Sequence, residues 1–226
     1  MGRLASGSGA NRPMYKTRDR GSLTPMADPL RPQQPTPARA EIASVEWLFE
    51  PFWPGDRLII RIADGAATVT DVSGEAPPDL SGVGELVRAA VRAGSAVIDG
   101  VWTAQPFLAE DPDADQRAFV AVDLVELDGE PLLDVPLQER RRLLESLVDE
   151  RVQVRVSPAV KQPIGGWLLG WRAAGFTHYV AKHQNSRYAP GERTDDWLKV
   201  DLHVPSSSGF VARLVGSRER VRRIRD

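Results

Sequence analysis

The sequence predicts an α+β domain built mainly on antiparallel sheet. Short apolar–polar runs are separated by Asp-Gly pairs, the signature of hairpins. Longer stretches with helical apolar spacing stand singly among these runs instead of alternating with them one for one. At 226 residues there is room for one domain with a tail, enough to bury a core.

Residues 1–43 are rich in Pro, Arg, Gly and Ser without apolar period, which predicts a disordered arm. Order is expected from Val45-Glu46-Trp47. Residues 57–62 and 67–72 read as strands flanking the turn Ala63-Asp64-Gly65-Ala66. Gly84–Ala93 has helical spacing, with Leu86, Val87, Ala90 and Val91 on one face. Ala96–Ile98 reads as a short buried strand ending at Asp99-Gly100. Phe119–Leu127 is a longer strand, turned at Asp128-Gly129. Pro136 opens a helix to Val148 whose apolar side is Leu137, Leu143, Leu144 and Leu147. Residues 152–156 alternate as a strand, Gly165–Ala174 reads as a helix, and residues 179–183 and 197–202 read as strands. The domain is expected over 44–205, with a basic tail over 206–226.

The chain has no cysteine, which excludes disulfides, thiolate metal sites and a cysteine nucleophile. No apolar stretch is long enough to cross a bilayer and the N-terminus lacks a signal-like apolar region, so a cytoplasmic protein is expected. Net charge is −2, but residues 1–40 carry +5, residues 213–226 carry +4 and the middle carries −11. Phosphate backbones attract arginine and repel carboxylates, so the ends rather than the body suit nucleic acid. The candidates at the C-terminal end are Arg213, Arg218, Arg220, Arg222, Arg223 and Arg225; a charged helix or tail without a ligand is the alternative.

The run Val180-Ala181-Lys182-His183-Gln184-Asn185-Ser186-Arg187-Tyr188-Ala189-Pro190-Gly191-Glu192-Arg193, continuing to Trp197-Leu198-Lys199-Val200, resembles the stretch joining two nucleotidyltransferase motifs of ATP-dependent DNA ligases (EGVVAKR-x-S-x-Y-x-PG-x-R…WLKVK). Phe119–Leu124 through Leu127-Asp128-Gly129 to Pro136–Arg141 is similar to the family's FDLL-x-LDG…PL-x-ERR segment. Ile98-Asp99-Gly100 stands at the place of LDGE. The three follow family order over residues 45–203. The resemblance implies a nucleotidyltransferase domain of the DNA ligase and mRNA-capping type, two antiparallel sheets flanked by helices around a nucleotide cleft. It also implies ATP and Mg²⁺ as cofactors, a lysine nucleophile attacking the α-phosphate, and carboxylates holding the metal.

The nucleophile motif E-x-K-x-DG-x-R matches Glu50-Pro51-Phe52-Trp53-Pro54-Gly55-Asp56-Arg57, so the lysine position holds Phe52, which has no nucleophilic atom. The acid of LDGE is Val101, the glutamate and glycine opening the fourth motif are Thr177 and His178, the aromatic of FDLL is Val122, and the second lysine of WLKVK is Asp201. What remains of the nucleotide site is Arg57, Asp99, Lys182 and Lys199. The two lysines either hold a phosphate or are inherited surface lysines pairing with carboxylates such as Asp195, Asp196 or Asp201. No catalytic residue, cofactor or metal site is therefore expected, and the segment after Leu202 is too short for the OB-fold barrel that nick sealing uses. The expectation is a catalytically inactive relative serving DNA repair or recombination as a binding module, with DNA at its basic termini or a repair protein as partner. The alternatives are an active ATP-dependent DNA ligase, as the resemblance alone implies, and a regulatory protein-interaction domain without nucleic acid.

Other constellations carry bland readings. Asp111, Asp113 and Asp115 open like a calcium loop, but Gln116 and Val122 stand where its glycine and glutamate belong. His178, His183 and His203 lack ligand spacing. Five tryptophans are expected in the core, with Trp53 beside Phe52 plugging the cleft. Arg140 and Arg141 are expected on a solvated helix face.

Overall fold

The computed structural model describes residues 30–39, 42–104 and 117–202. Its strands are β1 (Gln34–Ala38), β2 (Trp47–Pro51), β3 (Asp56–Ala63), β4 (Ala66–Thr70), β5 (Ala96–Thr103), β6 (Ala118–Leu127), β7 (Glu130–Pro131), β8 (Val154–Val156), β9 (His178–His183) and β10 (Arg193–Asp201). Its helices are α1 (Ser81–Arg88), α2 (Leu137–Leu147) and α3 (Gly165–Ala173). One sheet runs β1-β10-β9-β2; the other runs β4-β3-β5-β6-β7, with β8 beside β6. Both sheets are antiparallel except where β1 joins β10 and β8 joins β6. Among the described residues no helix is long and apolar enough to cross a membrane.

β1 lies inside the segment expected to be a disordered arm; order starts before residue 44. Its partner is about 160 positions away in sequence, so no local signal marks it, and Pro35 and Pro37 disguise it as loop. Prolines are tolerated there because an edge strand needs hydrogen bonds on one side only. Residues 1–29 of the arm expected over 1–43, the tail expected over 206–226, the acidic run 111–115, His203 and the six C-terminal arginines lie outside the described residues.

β3, β5 and β6 are buried along most of their length because both faces of this sheet are covered. Leu58, Ile60, Ile98 and Leu124 face α1 and α2; Val101, Val120 and Val122 face the other sheet and α3. α1 ends before the expected Ala93 because Val91 bridges to Val148, and Ala90 O accepts from Asp149 N–H at 2.7 Å. The strand expected over 152–156 is shorter at its start, where Val152 is exposed.

Arg140 and Arg141 correct the expectation of a solvated face. Arg140 is fully buried and grips the equally buried Asp123 of β6 through two hydrogen bonds of 2.9 and 2.8 Å. Its Nη1 also donates to Val135 O and Ser186 O. Arg141 donates to Ser157 O at 2.5 Å and to Glu145 at 3.1 Å. Leu137 and Leu144 bury the same helix side, so apolar spacing alone did not reveal that two arginines share it.

Asp123→Ala strands a buried guanidinium and is expected to cost about 3–5 kcal/mol of unfolding free energy, while Asp123→Leu combined with Arg140→Met costs far less. Urea unfolding of both variants checks this; equal losses would mean that the charge pair is not what is being broken.

Candidate functional site

The motif residues converge where β2 runs out beside β9. A cavity of about 20 Å³ remains there, lined by Pro35, Glu50, Phe52, Arg57, Val101 and Lys182 among others. That is room for about one water molecule, against the roughly 300–1,000 Å³ of ordinary ligand pockets.

Phe52 leaves β2 with its N–H donating to His178 O at 3.0 Å. Its ring lies beneath the ammonium of Lys199, with Nζ 3.7 Å from the ring centroid. This is cation–π distance. The other side of the stack is the imidazole of His178, edge-on at 6.1 Å. His178 Nε2 is 2.5 Å from Asp201 Oδ1, and Thr177 Oγ1 is 2.8 Å from Nδ1. His178 and Asp201 are directly opposed partners on β9 and β10, so these two departures from the family motif form one contact. Burial lowers the Lys199 ammonium below the usual lysine range, with Asp201 opposing. Lys199 thus caps an aromatic ring, and none of Asp195, Asp196 or Asp201 holds it by a direct ion pair among the described contacts.

Lys182 is no surface lysine. It is buried, 3.0 Å from Glu50 Oε1, and it donates to Glu50 Oε2 at 3.1 Å and Val122 O at 3.2 Å. Its Nζ also lies 4.2 Å from the ring centroid of Trp197, and Arg141 approaches Glu50 from another side at 3.8 Å. Burial lowers the Lys182 ammonium, with Glu50 and Asp123 opposing that shift. Glu50, the partner that completes this site, was not among the sequence candidates; its place at the head of the nucleophile motif was the available signal.

Arg57 and Asp99 do come together, through paired hydrogen bonds of 2.6 and 2.8 Å. Burial opposes the charge on Arg57, but Asp99 raises it above the usual arginine value. Asp99 also accepts from the Tyr188 hydroxyl at 2.8 Å, which in turn accepts from Gln33 N–H at 3.1 Å. Burial and then the Asp99 charge push the Tyr188 phenol well up. Both oxygens of Asp99 are therefore engaged. Val101 and Val122, where the family has an acid and an aromatic, belong to the buried apolar cluster. Among the described residues no cluster of three or more His, Asp or Glu side chains stands at metal-ligand distance.

The glycines that survive from the motifs have packing reasons. A Cβ at Gly55, whose φ is +137°, would come within 2.2 Å of Trp102 O, and one at Gly100 would strike the Phe119 ring at 2.2 Å. Trp53 belongs to the core, its ring 5.0 Å from Phe176 and its Nε1 donating to Ser157 Oγ. Trp167, expected in the core, is half exposed.

Residues 85–201 match the family described as the ATP dependent DNA ligase domain. The chain is 29% identical over 221 residues to DNA ligase 2 of Methanosarcina acetivorans, covering 77% of the chain and 37% of that protein. It is 31% identical over 172 residues to the multifunctional non-homologous end joining protein LigD of Mycobacterium bovis, covering 73% of the chain and 22% of that protein. The chain thus spans well under half the length of either relative. Among solved structures it is similar to mycobacterial DNA ligase D complexed with ATP and MES, with a TM-score of 0.61, 26% identity, and coverage of 77% of this chain and 60% of that one. The ligase domain of M. tuberculosis LigD gives a TM-score of 0.59 at 26% identity, covering 76% of this chain and 59% of that one.

The raised Tyr188 pKa has a thermodynamic sign. Above about pH 10 the native chain holds a phenolic proton that the unfolded chain releases, so stability falls as pH rises. Lys182, being lowered, acts in the opposite sense, but only up to its ordinary value of 10.5. Tyr188→Phe should therefore flatten the decline in urea midpoint above pH 10.5, whatever its effect at neutral pH; an unchanged slope would remove Tyr188 as its cause.

Proposed function

Because the chain belongs to the ATP-dependent DNA ligase family, we propose that it is a member that has kept the adenylation-domain fold and lost the adenylation step, and that it acts as a binding module in DNA repair or recombination. The observation that carries this is Phe52. The position whose amine would attack the α-phosphate holds a hydrocarbon ring, its backbone tied to His178 and its face covered by Lys199. Nucleophilic catalysis at that atom has no lone pair to use.

The residues present do not fit ATP with its metal. The space left is about 20 Å³, Lys182 is satisfied by Glu50 and Val122, and Asp99 is held by Arg57 and Tyr188. Bringing a phosphate to Lys182 would leave Glu50 facing Arg141 alone and open a buried charge network, a costly exchange. Mg²⁺ would find Val101 where the family offers a carboxylate. The relatives' names describe DNA ligases and an end-joining protein, which supports DNA or a repair protein as the partner. The ends carry the cations for such contact, +5 over residues 1–40 and +4 over residues 213–226. An acidic body at −11 favours a second reading, a protein-interaction domain that avoids nucleic acid.

Intact-mass analysis after incubation with ATP and Mg²⁺ is expected to show no adenylate on the unaltered chain, and none on Phe52→Lys, since Val101 and Thr177 still stand in place of carboxylates. An adduct on the unaltered chain would overturn the inactive reading. DNA binding by the full chain is expected to weaken steeply with salt, by roughly tenfold or more between 50 and 200 mM. No binding at low salt would leave the protein-interaction reading.

A further inference from the structure

Away from the cleft, a groove of about 450 Å³ lies between α1 and the turn that leads into β8. That volume is within the roughly 300–1,000 Å³ of ordinary ligand pockets, whereas the cleft keeps only about 20 Å³. One wall is the outer side of α1. The helix docks on the sheet through the buried Val83, Gly84 and Val87. Gly82, Leu86 and Ala89 follow one another at helical spacing on a different side and line the groove. A Cβ at Gly82 would meet nothing within 4 Å, so the space beside it is open. The facing wall is the stretch from Arg151 to Val154. Arg151 N–H donates to Val154 O at 2.8 Å and Val154 N–H returns to Arg151 O at 3.3 Å, a tight turn that holds Val152 and Gln153 at its tip. Val152 is left 77% exposed and Leu86 36%.

The polar groups of this apolar frame are unequally occupied. Glu85, the acid in the lining, is taken: Arg88 holds its two oxygens at 2.8 and 2.5 Å. Glu150, next to the turn, accepts from Val156 N–H at 2.7 Å. Arg151 is held loosely. Its ion pair with Asp149 is 3.8 Å long and both side chains are more than half exposed, a contact that contributes little. Gln153 adds an amide to the same lining. An apolar trough with one loosely held guanidinium and an amide suits a molecule that is apolar in body and anionic at one end.

We propose that this groove binds a small free carboxylic acid with an aromatic or branched apolar body. The body lies over Gly82 between Leu86, Ala89 and Val152, and the carboxylate takes two N–H groups of Arg151, replacing the long contact with Asp149. Withdrawal of Leu86 and Val152 from water drives binding, and the guanidinium selects for acids. The site shares no residue with the cavity beside Phe52, so it operates whether the chain binds DNA or a protein.

The test uses isotope-labelled full-length protein in heteronuclear NMR titrations, with naphthoate as the probe and naphthamide as its uncharged counterpart. Naphthoate is expected to shift the amide signals of Gly82, Leu86, Ala89 and Val152 saturably, and to bind at least about tenfold more tightly than naphthamide. Arg151→Gln should erase that preference while leaving naphthamide affinity as it was. Gly82→Leu should abolish binding of both, because the new side chain fills the groove; leucine is the better helix former, and thermal melting verifies that this variant is folded. Shifts that do not saturate, or that fall on Phe52 and Lys199 instead, would overturn the proposal, as would a preference for the acid that survives Arg151→Gln. Sedimentation of the unliganded protein supplies a further check: a dimer that Gly82→Leu dissociates would make a second copy the occupant and overturn it too.

Discussion

Arg140 has no contact with solvent, and neither has the carboxylate of Asp123 that it grips. A guanidinium buried alone would cost several kcal/mol, so α2 can dock on the sheet only where this pair, Val135 O and Ser186 O all meet it. The consequences spread outward from that point. Ser186 holds the connection between β9 and β10, and two residues later Tyr188 lies under the same guanidinium, 5.8 Å from ring centroid to cation. Its hydroxyl engages Asp99, which orients Arg57, and it receives the N–H of Gln33 at the entry to β1. One buried charge pair thus sets the helix, the loop, the floor of the cleft and the strand that walls it.

The side chains of the cleft hold one another. Phe52, His178 and Asp201 are separate substitutions in sequence, yet they form a continuous stack with Lys199 at one end and a cross-strand His178–Asp201 contact at the other. A lysine left facing a vacant phosphate position would be a poorly satisfied cation. The ring offers it a diffuse negative face, and Asp201 offers charge from the same strand. Lys182 is treated differently: it donates to Glu50 Oε2 and Val122 O inside the protein, with Glu50 Oε1 at ion-pair distance. Both lysines thus have partners within the protein.

Most of the sheet was legible in the sequence because its signals are local. Asp64-Gly65 and Asp128-Gly129 turn hairpins with positive φ at all four positions, and the apolar runs over 58–62 and 119–125 need only a period and a length. The family of the chain was legible because three ordered motifs carry it. What local patterning missed depends on distant partners. β1 exists only because β10 lies beside it, and the apolar period of α2 gives no hint that Arg140 lies among leucines. At the site, chemistry could be read from Phe52 alone, but the burial of Lys182 required Glu50, Val122 and Trp197 to be brought around it from three other strands.

The pairing of β1 with β10 also sets a clock. Gln34 must find Arg193, and Ala38 must find Val200, so the first strand has no partner until nearly the whole domain has been made. At about 5–20 residues per second of synthesis, β1 waits on the order of ten seconds after it leaves the ribosome. Through that interval β9 lacks β10, and the wall that Pro35 gives the cavity is missing. The two prolines that make β1 a poor strand by composition also withhold the backbone donors through which a waiting strand would pair with the wrong chain. Its unpromising sequence is therefore suited to a segment that must stay unpaired until β10 has been made.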